Sequence, residues 1–392
     1  MHGTSASRVT RTRGGLRFGV EEEFLLVDPV SRRTVPAAPE VLPSAARRLG
    51  SRAQAEFLAT QVEACTRPVL TAGDLSAELA ATRAALTAAA GAAGCRLAAL
   101  PLPVLPSHHP LPVTEAPRYR QLAAHVGGVA DQVGGELCGC HVHIGDLTRA
   151  EALAVSAAAR PWLPVLQALS VNSPYCEGDD VGAASTRDLR YAAWPTHGPA
   201  PVLDEEGYER TARRLVEDRV VLDRKMIYWY ARPSEHLPTL EFRFADTNPD
   251  TGAVLLLACL LRALVYVLLG DDGPSAAGSA TWQPSPADLR AAHREVALHG
   301  PAARCPHPFD GTPRPVTELL EDLLVFAGPG LRFHGDHALA HGLLRRLRTD
   351  GTGASRQRAV YARRGSLADV VDEVVAATAA GARGVPAPVR SG

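Results

Sequence analysis

The chain has 392 residues, of which 46% are hydrophobic, so it can bury a large core either as one fused domain or as roughly two to three separate ones. Its formal net charge is -1, which excludes a global electrostatic attraction to nucleic acid or to an anionic membrane. A small, locally charged molecule is therefore the expected partner.

Helices with recognisable starts or breaks are predicted along the chain. The segment Thr71 to Asp74 fits a capping box, and an Ala-rich stretch follows it to Ala93. The helical pattern from Leu147 to Ser170 must bend or divide at Pro161 and Pro164, because proline cannot donate a main-chain hydrogen bond. Further helices are predicted to begin near Thr317 and Ser366 by leucine spacing and by a second capping box, respectively.

The ends of the chain and its longest apolar run bear on domain organisation. Residues 1–15 contain no acidic residue and predict a disordered arm, and residues 381–392 predict a flexible tail. No internal repeat or clean linker interrupts residues 16–380, which favours a single catalytic domain. The apolar run Val254 to Leu269 falls short of the ~20 residues that cross a bilayer, so we expect a buried helix in a soluble protein.

The cysteines indicate the compartment. There are seven, an odd number, and they are scattered through apolar stretches. Such cysteines are typical of reduced thiols in a reducing compartment. We therefore expect a cytoplasmic protein, and a homodimer is possible.

Five runs rich in β-forming residues lie between the helices: Phe18 to Val27, Phe57 to Glu63, Glu136 to Gly145, Met226 to Ala231 and Thr239 to Ala245. Long stretches that include helices separate these runs. This spacing favours an α+β fold with a largely antiparallel or mixed sheet over a regular βαβ alternation.

Polar side chains alternate with apolar ones in four of these runs. Because successive side chains of a strand point to opposite faces, each run turns an apolar row to one side and a polar pair to the other. The polar pairs are Glu21 and Glu23, Gln61 and Glu63, His141 and His143, and Glu241 and Arg243. In the first run Glu22 points to the opposite face from Glu21 and Glu23.

A shared face for these pairs would have a chemical consequence. A single polar pair is explained by a solvent-exposed strand face. Several carboxylates gathered with histidines on one face repel one another unless a cation lies among them. If the strands are neighbours, the sheet forms a cup that binds metal, and carboxylate oxygens suit Mg²⁺ or Mn²⁺.

The run Cys138 to His143 also permits a zinc interpretation, because Cys and His are the usual ligands of zinc. The cysteines and histidines of one strand point to opposite faces, however, and no second cysteine pair with suitable spacing follows. The thiols are better explained as small core residues.

Nine segments in order resemble the glutamate-cysteine ligase type 2, or carboxylate-amine ligase, family. They are Phe18 to Asp28, Gln61 to Glu63, Cys138 to Gly145, Arg160 to Pro164, Leu169 to Pro174, Trp194 to Pro195, Arg232 to Ser234, Thr239 to Asp246 and Gly351 to Arg358. The resemblance runs from about Phe18 to Ala380, which is nearly the whole chain.

The resemblance implies a glutamine-synthetase-like catalytic fold, a curved and mainly antiparallel sheet with flanking helices whose inner face binds ATP and Mg²⁺. It also implies that ATP phosphorylates a carboxylate and that an amine then displaces phosphate, typically joining glutamate to cysteine. By position, the implied metal ligands are Glu21, Glu23, Glu63, His143 and Glu241. Glu241 and Arg243 are the implied catalytic residues, and Arg243 faces the transferring phosphoryl group.

Other residues are candidates for binding the substrates. Arg187 and Arg190 lie in a loop where the family carries a substrate-binding arginine, although the sequence around them departs from the family pattern; an exposed basic loop is the alternative. His141 is a further substrate candidate. Gln357 and Arg358 could bind the nucleotide, or they could belong to a glycine turn with surface arginines.

Two other functions stay open from the sequence. A metal-dependent amide hydrolase could use the His141 and His143 cluster with nearby carboxylates. A binding module could keep the cup without turnover. The sequence leaves open which carboxylate and which amine are joined, and whether the product serves thiol metabolism or a specialised pathway.

Overall fold

The computed structural model describes residues 14–127, 135–270 and 282–383. The predicted arm, residues 1–15, and the predicted tail, residues 381–392, lie almost entirely outside these ranges. In the described part the chain folds as helices around one large antiparallel sheet, which confirms the predicted α+β class.

The main sheet has seven strands. Their order across the sheet is β2-β3-β1-β5-β9-β8, and β4 pairs with the end of β1. The strands are β1 (Phe18–Val27), β2 (Ala53–Ala55), β3 (Gln61–Cys65), β4 (Arg96–Ala98), β5 (Gly139–Ile144), β8 (Ala231–Pro233) and β9 (Leu240–Asp246). Two small hairpins pair β6 (Tyr175–Cys176) with β7 (Asp179–Asp180), and β10 (Arg304–Pro306) with β11 (Pro313–Pro315).

The helices begin where the sequence supplies caps. The Thr71 hydroxyl accepts from the Asp74 main-chain N–H at the start of α2, as predicted, and Ser366 accepts in the same way from Asp369 at the start of α14. The helices are α1 (Ala38–Leu49), α2 (Ala72–Ala92), α3 (Pro117–Val126), α4 (Arg149–Ala159), α5 (Leu163–Gln167), α6 (Thr186–Tyr191), α7 (Glu205–Glu217), α8 (Thr251–Leu268), α9 (Pro286–His299), α10 (Val316–Phe326), α11 (Gly328–Phe333), α12 (His337–Asp350), α13 (Gly353–Arg364) and α14 (Leu367–Gly381).

Most predicted elements are present, with shifted ends. The predicted helix Leu147 to Ser170 is divided into α4, a 3₁₀ turn at Arg160–Trp162 and α5, where the two prolines fall. The predicted strand Met226 to Ala231 is wrong, because Arg224–Met226 form a 3₁₀ turn and pairing starts only at Ala231. The apolar residues of this segment are buried although the segment is not a strand, and a run of apolar residues has the same appearance in a sequence as a buried strand.

The two faces of β1 have different surroundings. Phe24 packs in a cluster with α1 and α2 on one face. Glu22 lies on that same face, where the guanidinium of Arg83 from α2 donates to its two carboxylate oxygens at 3.0 and 2.5 Å. Arg83 is fully buried and also donates to the carbonyl oxygens of Asn248 and Pro249, at 2.7 Å each. Glu22 therefore has a structural partner inside the protein.

Helix α8 runs through the largest hydrophobic cluster. It is long and apolar enough to cross a membrane by composition, but 89% of the relevant window is buried inside the protein, which agrees with the predicted buried helix. Near its middle Arg262 is fully buried, with its guanidinium carbon 3.7 Å from the centre of the Phe18 ring. Arg262 donates to the Asp336 carboxylate, 74 residues later in the chain.

Candidate active site

A cleft of about 340 Å³ opens on the face of the sheet opposite to Glu22. Four neighbouring strands, β3, β1, β5 and β9, each contribute a polar pair to it. The eight residues are Glu21, Glu23, Gln61, Glu63, His141, His143, Glu241 and Arg243, all of which line the cleft. The structure thus brings together every polar pair that the period-two pattern assigned to one face.

The strand register sets acidic side chains next to one another. Glu23 of β1 is directly opposite Glu63 of β3, and Glu21 is directly opposite His141 of β5. On the far side of β5, His143 is opposite Glu241. Two ionised carboxylates directly opposite each other, as Glu23 and Glu63 are, destabilise a sheet. This pair is therefore favourable only if a proton or a cation compensates its charge.

Two groups of side chains have the spacing needed to hold a metal ion. Their potential ligand atoms lie within 4.8 Å of one another in each group, which comprise Glu21, His141 and Glu241, and Glu23, Glu63 and His141. His141 belongs to both, although the sequence suggested it as a substrate contact and His143 as the ligand. The roles of the two histidines stay predictions, and the spacing favours His141 as a ligand.

The ring of His143 nevertheless also has a defined orientation in the cleft. Its Nδ1 lies 2.9 Å from the Thr239 hydroxyl, which fixes the ring orientation. Its Nε2 is buried and lies 3.2 Å from Glu21 Oε1, a candidate ligand of the same ion. A histidine that is oriented through one ring nitrogen and turns the other toward carboxylates is the arrangement that metal ligands adopt.

The carboxylates of β3 and its preceding loop carry an unfavourable charge environment. Burial, and then the charges of Glu21, Glu56 and Glu23, raise the pKa of Glu63 well above its usual range. Burial and the neighbouring Glu23 raise the pKa of Glu56 to about 7. Carboxyl groups that resist ionisation in this way would ionise fully once a divalent cation joined them.

Two arginines stabilise the charge of Glu241. Burial opposes its ionisation, but Arg232 and Arg243 outweigh burial and hold the pKa of Glu241 well below its usual range. Arg232 Nε donates to Glu241 Oε2 at 3.0 Å, and Arg243 donates to Glu241 Oε1. Arg243 therefore presents a permanent positive charge within the cleft, next to an ionised carboxylate.

Arg187, on α6, does not line the cleft, but its guanidinium lies beside Gly139 and His141 of β5. A Cβ atom added at Gly139 would lie 2.4 Å from Arg187 Nη2 and 3.1 Å from His141 Nε2. The Arg187 side chain is 3% exposed, and its Nε and Nη1 have no hydrogen-bond partner in the described part of the chain. The nearest charge-compensating carboxylate, Asp246, is 3.9 Å away.

Like Arg187, the three remaining candidates lie outside the lining of this cleft. Arg190 is half-buried on the same helix as Arg187. Gln357 is buried and donates to the carbonyl oxygen of Asn172. Arg358 donates to the carboxylate of Asp180 at 3.0 and 2.6 Å. These contacts are structural, and substrate or nucleotide binding by the three stays a prediction.

Several cleft residues were missed by the sequence reasoning. Glu56 lies just before the predicted strand and follows no alternation, so no sequence signal indicated it. Arg232 belongs to one of the nine segments that resemble the family, but nothing in the sequence indicated that it donates to Glu241. Tyr191 and Tyr228 form an edge-to-face aromatic pair on the cleft wall, with ring centres 5.2 Å apart.

A helix-flanked antiparallel sheet with a carboxylate-lined face is the arrangement expected of a carboxylate–amine ligase, and the family match gives the same class. The family model described as "Glutamate-cysteine ligase family 2" matches residues 17–373. The chain therefore belongs to glutamate-cysteine ligase family 2, as the nine segments indicated. This membership supports a ligase and gives no support to the alternative hydrolase.

Two relatives agree with this family, and a solved structure shares the fold. A candidate glutamate–cysteine ligase 2-2 from Mycobacterium sp. (strain KMS) is 39% identical over 372 residues, which cover 92% of this chain and 98% of the relative. A candidate glutamate–cysteine ligase 2 from Salinispora tropica is 38% identical, covering 95% of this chain and 96% of the relative. The structure of glutamate–cysteine ligase from Francisella tularensis in complex with AMP has a TM-score of 0.68 at 12% identity, covering 96% of this chain and 91% of that one. The last likeness concerns the fold alone.

Proposed function

We propose that the protein is an ATP- and Mg²⁺-dependent ligase that joins a carboxylate to an amine through an acyl-phosphate intermediate. The observation that carries this proposal is the gathering of carboxylates, histidines and Arg243 on one face of four neighbouring strands. Such a face can bind divalent cations and polyphosphate together, which phosphoryl transfer to a carboxylate requires.

The donor set fits Mg²⁺, with Mn²⁺ as the alternative. The residues that would hold it are Glu21, Glu23, Glu63, Glu241 and the two histidines, and Glu56 adds a further carboxylate. Bound there, the ion would neutralise the oxygens of ATP and of the substrate carboxylate. Carboxylate oxygens outnumber nitrogens in this set, and the cysteines of the described chain are absent from both metal-binding groups.

The arginines of the cleft supply the remaining charge. In the reaction, a substrate carboxylate oxygen attacks the γ-phosphorus of ATP and ADP leaves. The Arg243 guanidinium would stabilise the charge that develops on the transferring group. Arg232 is a positioning residue, because it holds Glu241 from the side away from Arg243.

The second step forms the amide. The nitrogen of the amine, having lost its proton, attacks the acyl carbon, and phosphate leaves with the oxygen that came from the carboxylate. Arg187 would bind a carboxylate of the substrate, since its buried guanidinium has free donors beside His141. The relatives' names support glutamate and cysteine, or a related amine, as substrates.

The cellular setting is proposed on the chemistry of the thiols. All seven cysteines are free, and six of them are buried. Buried thiols without disulfides are typical of proteins in a reducing compartment. We therefore propose a cytoplasmic enzyme that acts on small molecules.

Isotope transfer tests the reaction directly. Glutamate labelled with ¹⁸O in its carboxylates is incubated with cysteine, ATP and Mg²⁺, and the phosphate produced is analysed by mass spectrometry. One ¹⁸O atom per phosphate is expected, because the acyl phosphate transfers a carboxylate oxygen. AMP and pyrophosphate as products, or unlabelled phosphate, would refute the proposed route. Omission of glutamate or cysteine and an Arg243→Ala variant are the controls, and each should abolish product formation.

A further inference from the structure

A second cavity, larger than the catalytic cleft, lies at the other end of the helical layer. It has a volume of about 1060 Å³, and we call it the rear cavity. It is enclosed by the start of α8 (249–251), the end of α12 (346–351), helix α13 (353–363) and helix α14 (370–383). None of its lining residues also lines the catalytic cleft.

The rear cavity has a positive rim. Five arginines line it, against three acidic residues: Arg346, Arg348, Arg356, Arg363 and Arg383, and Asp250, Asp350 and Glu373. Asp250 is shared, because both Arg346 and Arg356 donate to its carboxylate. Arg363 and Arg383 are exposed at the rim. Arg348 donates to the carboxylate of Glu321, so Arg363 and Arg383 are the lining arginines without a carboxylate partner among the described residues. Two exposed guanidinium groups of this kind favour a phosphate or carboxylate group of a ligand.

The inner wall of the cavity is apolar apart from one amide. Val360, Val370, Val374 and Ala377 contribute hydrocarbon surface. Gln357 is 3% exposed; its Nε2 donates to the main-chain and side-chain oxygens of Asn172 at 2.6 and 2.8 Å, while its Oε1 has no hydrogen-bond partner in the described chain. An apolar wall with an unpaired acceptor suits a ligand body that carries a hydrogen-bond donor.

The rear cavity is joined to the catalytic strand through buried hydrogen bonds. Pro249 lines the cavity, and its carbonyl oxygen accepts from Arg83, which also donates to Glu22 of β1. Glu22 lies between Glu21 and Glu23, the candidate metal ligands. The next residue, Asp250, accepts hydrogen bonds from Arg346 and Arg356 at the rim. A ligand that rearranges these arginines therefore acts on a segment in direct contact with the catalytic strand.

We propose that the rear cavity binds a phosphorylated metabolite with an aromatic or apolar body, the chemical class of the nucleotides, as an effector separate from the substrates. Arg363 and Arg383 bind the phosphate, and the wall formed by α13 and α14 packs against the body. The site is independent of the metal-binding face, so its existence does not depend on the reaction proposed for the cleft.

Calorimetric titration of the full chain with uridine 5′-monophosphate tests the proposal. The buffer contains a chelator, because without divalent cations the acidic cleft repels the phosphate. One bound nucleotide per chain is expected. The double variant Arg363→Glu/Arg383→Glu should raise Kd by about tenfold or more, since it replaces two charge-assisted contacts with repulsion. Ala377→Phe, which fills the cavity, should abolish binding.

Three comparisons make the result decisive. Arg294→Glu, an exposed arginine of α9, is the matched control and should leave Kd unchanged. Arg243→Ala, in the cleft, should also retain binding, and a loss there would overturn the proposal by locating the nucleotide in the cleft. Inorganic phosphate should bind more weakly than the nucleotide. Absence of nucleotide binding, equal binding of phosphate, or full binding by a folded Ala377→Phe variant would each refute the inference.

Discussion

The substitution Glu22→Gln tests the strand register, because it alters the one glutamate of the 21–23 run that faces away from the cleft. Glu22 and Arg83 are 2% and 0% exposed, so the pair is fully removed from water. Removing one partner of a buried ion pair costs about 3–5 kcal/mol, since the remaining charge is left uncompensated. Glutamine still offers one oxygen to Arg83, so we expect the lower end, about 3 kcal/mol of unfolding free energy.

Urea unfolding followed by circular dichroism measures this loss, and phosphate release measures activity in the same preparations. A loss of about 3 kcal/mol corresponds to a midpoint lowered by roughly 1 M urea or less, because the dependence of the unfolding free energy on urea is steep in a chain of this length. The folded fraction of Glu22→Gln should retain the metal response and turnover of the parent. Glu115→Gln is the control, because Glu115 forms an exposed ion pair with Arg120, at 3.2 Å, and exposed pairs contribute little.

A double variant measures how much of the loss comes from the interaction between Glu22 and Arg83. Arg83→Met added to Glu22→Gln removes the stranded charge, so the two losses should not add, and a cycle measures the coupling between them. Full stability in Glu22→Gln combined with loss of turnover would refute the register. That result would mean that Glu22, rather than Glu21 and Glu23, faces the cleft.

Three further substitutions test the cleft itself. Glu21→Gln should lower kcat by about 10²-fold or more while leaving the urea midpoint unchanged, as expected for a group that stabilises the transition state; a lowered midpoint with normal kcat would contradict its role. Thr239→Val removes the hydroxyl 2.9 Å from His143 Nδ1 and should raise the Mg²⁺ concentration for half-maximal phosphate release by about 10-fold or more; an unchanged Mg²⁺ titration would exclude His143 as a ligand. Gly139→Ala forces Arg187 away from His141, since the new Cβ would lie 2.4 Å from its Nη2, and should lower kcat/KM for the carboxylate substrate by about 10²-fold. Unchanged steady-state kinetics for that variant would argue against carboxylate binding by Arg187.

The sequence predicted the cleft wherever a residue's position in a strand determines its direction. Alternation assigned Glu21, Glu63, His141 and Glu241 to one face, and all four line the cleft. A strand fixes side-chain direction at every second residue, so the pattern carries three-dimensional information without an alignment. What alternation cannot specify is which strands are neighbours, and the predicted cup depended on that condition.

Residues outside regular strands could not be assigned in this way. Glu56 lines the cleft from the start of the loop that follows β2, and Arg187 lies beside His141 from a short helix, so neither follows a period. Gln357 was assigned to the nucleotide from its local segment, yet the fold buries it against Asn172. The rear cavity is lined mainly by three consecutive helices, α12 to α14, and no motif in the sequence indicated that their arginines share one cavity.

The buried Arg262 of α8 has a consequence for synthesis on the ribosome. Its partner Asp336 is 74 residues further along the chain, so at ~5–20 residues per second the partner is made about 4–15 s later. During that interval the guanidinium has the carbonyl oxygen of Leu70 and the ring of Phe18 as neighbours but lacks its carboxylate, so burying it in the core is unfavourable. The same charge opposes insertion of this apolar helix into a membrane. We therefore expect the packing of α8 to be completed only after Asp336 has been made.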